Sequence, residues 1–140
     1  MEILRWKVRI ALLWVFMAVA MSVQGLFVFM EPGGIEKLLS EVEASGPGIF
    51  LFMTLFWLGP LWLAFVSMTV KDSCNRWINF VLGIVFTLCN IGRFFQTGVP
   101  LTEGGLFAEP TAHHILISGS IVVATALIAW YAWKWPKQEA

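Results

Sequence analysis

Four long apolar runs separated by short polar breaks set the pattern of this chain. They cover residues 8–30, 49–70, 76–98 and 111–135. Each is about 20 residues or longer, enough for a helix to cross the ~30 Å hydrocarbon layer of a bilayer. Glu31-Pro32-Gly33-Gly34 stops the first run, since proline and glycine do not extend a helix cheaply. Ile35, Leu38, Leu39 and Val42 then recur at helical spacing among charged neighbours, which predicts a short amphipathic helix on the membrane surface. Ser45-Gly46-Pro47-Gly48 opens the second run, and Pro60 near its middle predicts a kink. Lys71 to Asn75 reads as a tight polar turn, and residues 99–109 as a longer loop. Pro110 suits the start of the fourth helix and Pro136 its end. The expectation is an all-α fold. One polytopic membrane domain holds a bundle of four transmembrane helices, with the amphipathic helix after the first span.

Composition agrees. The chain has 140 residues, 59% hydrophobic and only 13% charged, where a soluble domain averages about 25% charged. The first run ends in Phe-Met-Glu-Pro, not in a small-x-small cleavage site, so it reads as a retained span and not a signal peptide. A formal net charge of zero gives no pull toward nucleic acid. Cys74 and Cys89 would lie about 22 Å apart on one helix, beyond disulfide reach. No C-x-x-C occurs, which argues against a thiol–disulfide oxidoreductase.

The distribution of charge sets the orientation. Arg5, Lys7, Arg9, Lys71, Arg76, Lys134 and Lys137 fall on one side if all four runs cross. The opposite loops carry Lys37 against Glu31, Glu36, Glu41, Glu43, Glu103 and Glu109. By the positive-inside rule, both termini are expected in the cytoplasm. Trp6, Trp77, Trp133 and Trp135 would then form an aromatic belt at that interface.

Candidate chemistry centres on Arg93, because an arginine at membrane depth is costly and functional by default. Helical spacing puts Asn79, Gly83, Phe86, Asn90, Arg93 and Thr97 on one stripe, and Val81, Val85, Leu88 and Phe95 opposite. Polar residues inward is the usual division in a bundle, so Arg93 is expected to face the interior. Met17, Ala20, Gln24, Phe27 and Glu31 form a stripe on the first span. His114, Ser118, Thr125, Ala129 and Ala132 form one on the fourth. The expected site is an outer-leaflet polar pocket of Arg93, Gln24, Asn90, Glu31, Gln96, His114 and Ser118. It would take a small polar or anionic ligand from outside.

A second reading stays open. Arg93 would pair with Glu31 or helix carbonyls as a lock, and Asn90 and Gln24 would be interhelical glue worth about 0.6 kcal/mol each. The protein would then be a non-catalytic structural or accessory membrane subunit, beside a second copy or another membrane protein. An enzyme ranks third, because no nucleophile–base pair and no complete metal set is visible. His113 and His114 are adjacent, and adjacent helical residues point about 100° apart, so the pair is not expected to ligate one ion. A bis-histidine haem would need a histidine on another helix. No cofactor is expected. Histidines beside a carboxylate would instead respond to external pH.

Three stretches carry a resemblance: Phe29-Met30-Glu31-Pro32-Gly33-Gly34 with Ile35-Glu36-Lys37; Asn75-Arg76-Trp77-Ile78-Asn79; and Trp130 to Pro136. In that order and spacing the chain resembles a bacterial family of four-helix integral membrane proteins, a domain of unknown function. The resemblance covers nearly the whole chain, supports four helices in a bacterial inner membrane, and implies no activity. Such proteins often have an acidic residue before the proline of the second helix, where this chain has Leu58 and Gly59. They tend to have aromatics after Pro-Thr in the fourth helix, where this chain has His113 and His114. Small multidrug exporters differ more, since they place a glutamate in mid-membrane on the first helix. By architecture alone the chain is also similar to small DoxX-like membrane proteins.

Overall fold

A computed structural model describes residues 2–46, 48–96 and 111–136, with Gln96 and Thr111 as backbone only. All regular structure among these residues is helical: α1 (Glu2–Met30), α2 (Gly34–Ser45), α3 (Gly48–Thr69), α4 (Asp72–Gln96) and α5 (Thr111–Lys134). α1, α3, α4 and α5 are long and apolar enough to cross a membrane. α2 is the short amphipathic helix, with Ile35, Glu36, Lys37 and Leu39 exposed.

Two boundaries differ from the sequence reading. α1 begins at Glu2, ahead of its apolar run, with an acid in the first turn that suits the helix dipole. Lys7 ties this extension down. Its Nζ lies 2.8 Å from Asp72 Oδ1 and donates to Val70 O at 3.1 Å. The polar segment after α3 is helical from Asp72 onward, so Asp72 to Asn75 form the first turn of α4. The Asn75 N–H donates to Lys71 O at 2.9 Å, and Asp72 sits where the dipole favours a negative charge. α3 remains helical through Pro60, which is buried.

The corner between α1 and α2 is a type II turn. The Gly34 N–H donates to Glu31 O at 3.0 Å, with Pro32 and Gly33 between them and Gly33 at φ 77°, ψ 3°. Gly34 is needed for another reason: a Cβ there would sit 1.9 Å from Val28 O.

α1 packs broadly on α3 and on α5, and α5 packs on α4. The α3–α4 seam is much the sparsest of the four. The buried apolar core is Ile10, Trp14, Met17 and Met21 of α1, Ala64 of α3, and Ile121, Ile128, Ala132 and Trp135 at or beside α5. Trp135, expected in the interfacial belt, is therefore a core residue. It follows Lys134, the last residue of α5, and packs inward, while Trp77 and Trp133 stay exposed. α4 approaches α5 at Gly83, where a Cβ would fall 2.9 Å from Ala129 N. Leu12, Leu51, Leu55, Trp62, Leu88 and Leu116 face outward. An outer surface of this kind fits a lipid bilayer.

Candidate functional site

Polar side chains gather at two heights in the bundle. The first is near the termini and was not anticipated as a unit. Trp14 Nε1–H donates to Asn79 Oδ1 at 2.7 Å, and the Ser67 hydroxyl lies 3.0 Å from the same oxygen. An indole only donates, so the Asn79 oxygen must face Trp14 and its NH2 must face Asn75. That NH2 reaches Asn75 Oδ1 at 2.6 Å and Asn75 O at 2.9 Å, and Asn75 Nδ2 donates to Ser67 O at 2.6 Å. Trp14, Ser67, Asn75 and Asn79 are all fully buried. The signals were present: Asn75 and Asn79 share a face at i, i+4, and a tryptophan inside an apolar run needs an acceptor.

The second gathering is near the far end. Counted from the Trp14–Asn79 contact, Gln24 and Asn90 both rise by about 15 Å, which puts them at one level. Both are buried, as is Ser118. Gln24 Nε2 donates to Ser118 Oγ at 2.9 Å, and Asn90 Nδ2 donates to Phe86 O at 2.7 Å. Glu31 stands higher, at the α1–α2 corner, against the first turn of α5. His114 Nε2 lies 2.6 Å and His113 Nε2 3.2 Å from Glu31 Oε1. The two imidazole centres are 4.3 Å apart, and His113 packs on Phe27 at 4.9 Å. The expectation that adjacent histidines diverge is corrected here. Their Cβ directions differ by the helical step, but each ring turns so that its outer nitrogen meets the same carboxylate. His114 Nδ1 is buried with no hydrogen-bond partner among the described residues.

Arg93 is placed differently from the expectation. Asn79, Gly83 and Asn90 of its stripe are buried and Val81, Val85, Leu88 and Phe95 are exposed, as spacing predicts. Arg93 itself is exposed, with its guanidinium carbon 5.7 Å from the ring centre of Phe56 on α3. Three residues past Asn90 the helix has turned back by about 60°. The long side chain follows that turn out along the α3–α4 seam, where the Phe56 and Phe86 rings stack 5.3 Å apart. Of the expected constellation, the structure joins Gln24 to Ser118 and Glu31 to His113 and His114 in the α1–α5 seam. Arg93 lies against α3, in the seam opposite. The side chain of Gln96 lies outside the described residues, as do Thr97, Glu103, Glu109 and Lys137.

Two grooves open elsewhere, on the α4–α5 face toward the termini. One of about 350 Å³ is lined by Arg76, Trp77, Phe80, Ala132 and Trp133. The other, about 320 Å³, shares Phe80 and Trp133 and continues past Ile84 and Leu88. No family model, curated protein or solved structure matches this chain.

Proposed function

We propose that the protein is an integral membrane binding protein that takes a small polar or anionic ligand at the end of the bundle opposite its termini. Arg93 is the anchoring cation. The observation that carries this reading is the position of its guanidinium, with its carbon 5.7 Å over the Phe56 ring at the sparsely packed α3–α4 seam. Five donors on a permanent cation suit a carboxylate or phosphate, and an aromatic face backs the cation. Asn90 lies one turn below on the same helix, whereas Gln24 and Ser118 bond each other across the α1–α5 seam and stand apart from this site. We place both termini in the cytoplasm of a bacterial inner membrane, on the Lys and Arg asymmetry and the family resemblance.

Thermal shift of the purified protein against a panel of carboxylates, phosphates and lipids tests the assignment. At least one anion should stabilise the wild type, and Arg93→Leu should fold but lose that stabilisation. Arg93→Lys should recover little of it if planar, two-point pairing matters. No shift with any member of the panel, or an equal shift in Arg93→Leu, rejects the anion site.

The accessory-subunit reading also has a specific observation behind it. Trp14, Ser67, Asn75 and Asn79 hydrogen-bond one another, and so do Gln24 and Ser118. These groups need no ligand to be satisfied. A wild type that is unmoved by the panel, together with Arg93→Leu lowering stability, would favour that reading.

A further inference from the structure

Two imidazoles and a carboxylate converge on one point where α1 ends and α5 begins. We propose that Glu31, His113 and His114 form a binding site for a divalent transition-metal ion. Their donor atoms lie within 4.8 Å of one another. In a tetrahedral site with metal–ligand bonds of about 2.1 Å, donors stand roughly 3.4 Å apart. The observed 2.6 and 3.2 Å from Glu31 Oε1 are shorter than this, so the carboxylate draws back by up to about 0.8 Å to admit an ion. The three side chains are partly exposed, at 28%, 33% and 21%, so an ion can reach them and a water can complete the coordination.

The backbone holds the donors in place. The type II turn through Pro32 and Gly33, closed by Gly34 against Val28, fixes Glu31 just beyond α1. Thr111 opens α5, so both histidines fall in its first turn, and Phe27 buttresses the His113 ring. Two neutral imidazoles and one carboxylate leave a net +1 on a divalent complex, and no buried charge is stranded. Borderline ions such as Zn2+, Co2+, Ni2+ and Cu2+ suit nitrogen-rich donors, whereas Ca2+ and Mg2+ require more oxygens. Binding through His114 Nε2 leaves the proton on Nδ1, which has no acceptor among the described residues. Histidine ligands of tight sites donate that proton to an outer partner, so micromolar affinity is expected here. The site lies in the seam opposite Arg93 and does not depend on the anion reading.

The test uses the full chain, free of any histidine tag, purified in detergent and stripped with a chelator. Titration with Co2+ should give one visible-absorbing complex per chain, displaced by Zn2+ and unaffected by Ca2+. His113→Ala, His114→Ala and Glu31→Gln should each weaken Co2+ binding by roughly 100-fold, at least the loss that removing an outer partner causes. Arg93→Leu should bind Co2+ like the wild type, which separates this outcome from that of the anion site. Should an alanine variant fail to fold, His113→Asn and His114→Asn keep polar bulk, and Zn2+ should still raise the wild-type melting temperature. The proposal is overturned if the wild type gives no Co2+ complex. It is equally overturned if any of the three substitutions leaves affinity within about twofold of wild type.

Discussion

Asn79 accepts from Trp14, faces the Ser67 hydroxyl and donates to Asn75, so one amide joins α1, α3 and α4. Interhelical hydrogen bonds in membranes average only about 0.6 kcal/mol, because the unfolded helices also find partners. Asn79 differs in that its loss strands several buried groups at once, and an unsatisfied buried donor costs about 1–3 kcal/mol. Asn79→Ala is therefore expected to cost about 2 kcal/mol, and Ser67→Ala, which removes one hydroxyl with little loss of volume, nearer 0.6 kcal/mol. Reversible unfolding in mixed detergent micelles measures both, and equal losses would show that Asn79 is not the hub. Spacing alone located Asn79, Asn90, Gln24 and Ser118 on inward faces. It misplaced Arg93, because a stripe of single residues ignores both the 60° drift between Asn90 and Arg93 and the reach of a long side chain. It also missed the meeting of His113 and His114, because Cβ directions do not fix where ring nitrogens go.

Between elements, the approach of α4 to α5 depends on a missing side chain. At Gly83 an added Cβ would meet Ala129 N at 2.9 Å and Ala129 Cα at 3.1 Å, both backbone atoms that cannot turn aside. Gly83→Ala should push α4 off α5 and cost about 1–3 kcal/mol, the usual range for overpacking. At Gly25 the obstacle is the edge of a side chain, Trp57, at 3.0 Å, so Gly25→Ala should cost less. Melting temperatures of the two variants give the comparison, and a Gly83→Ala protein as stable as wild type would mean that the seam is looser than its geometry. Gly34→Ala probes the α1–α2 corner: with Val28 O 1.9 Å from the new Cβ, the turn must open. It should withdraw Glu31 from the histidines and so weaken Co2+ binding as well as stability. The Pro-Gly-Gly sequence announced a turn there. Which glycine needs positive φ and which needs close contact is shown only by the folded structure.

Across the whole molecule, helix number and the inward stripes were legible because hydrophobic length and the 3.6-residue period act along one chain segment at a time. Which helices are neighbours was not legible, because lipid is as apolar as a helix face and any two such faces can meet. The sparse α3–α4 seam and the separation of Arg93 from the Glu31 cluster follow from that choice of neighbours. The charge pattern does act at this scale. Lys7 pairs with Asp72 at 2.8 Å, Arg9 lies over Trp6 and Tyr131, and Lys134 lies 4.5 Å over Trp130, all at the end that holds the termini. Cations with aromatic partners suit the headgroup layer, and their excess at one end predicts that this end is cytoplasmic. Two native thiols make the orientation measurable. Cys74 is exposed in the first turn of α4 at the basic end, and Cys89 is exposed among apolar residues toward the far end of the same helix. A maleimide reacts with thiolate in water, so Cys89 facing lipid should stay unlabelled throughout. In intact cells a membrane-impermeant maleimide should leave Cys74 unmodified, and permeabilisation should expose it. A Leu39→Cys variant in α2, at the opposite end, should label without permeabilisation. Cys74 labelling in intact cells, with Leu39→Cys protected, would invert the orientation and turn the Arg93 end toward the cytoplasm.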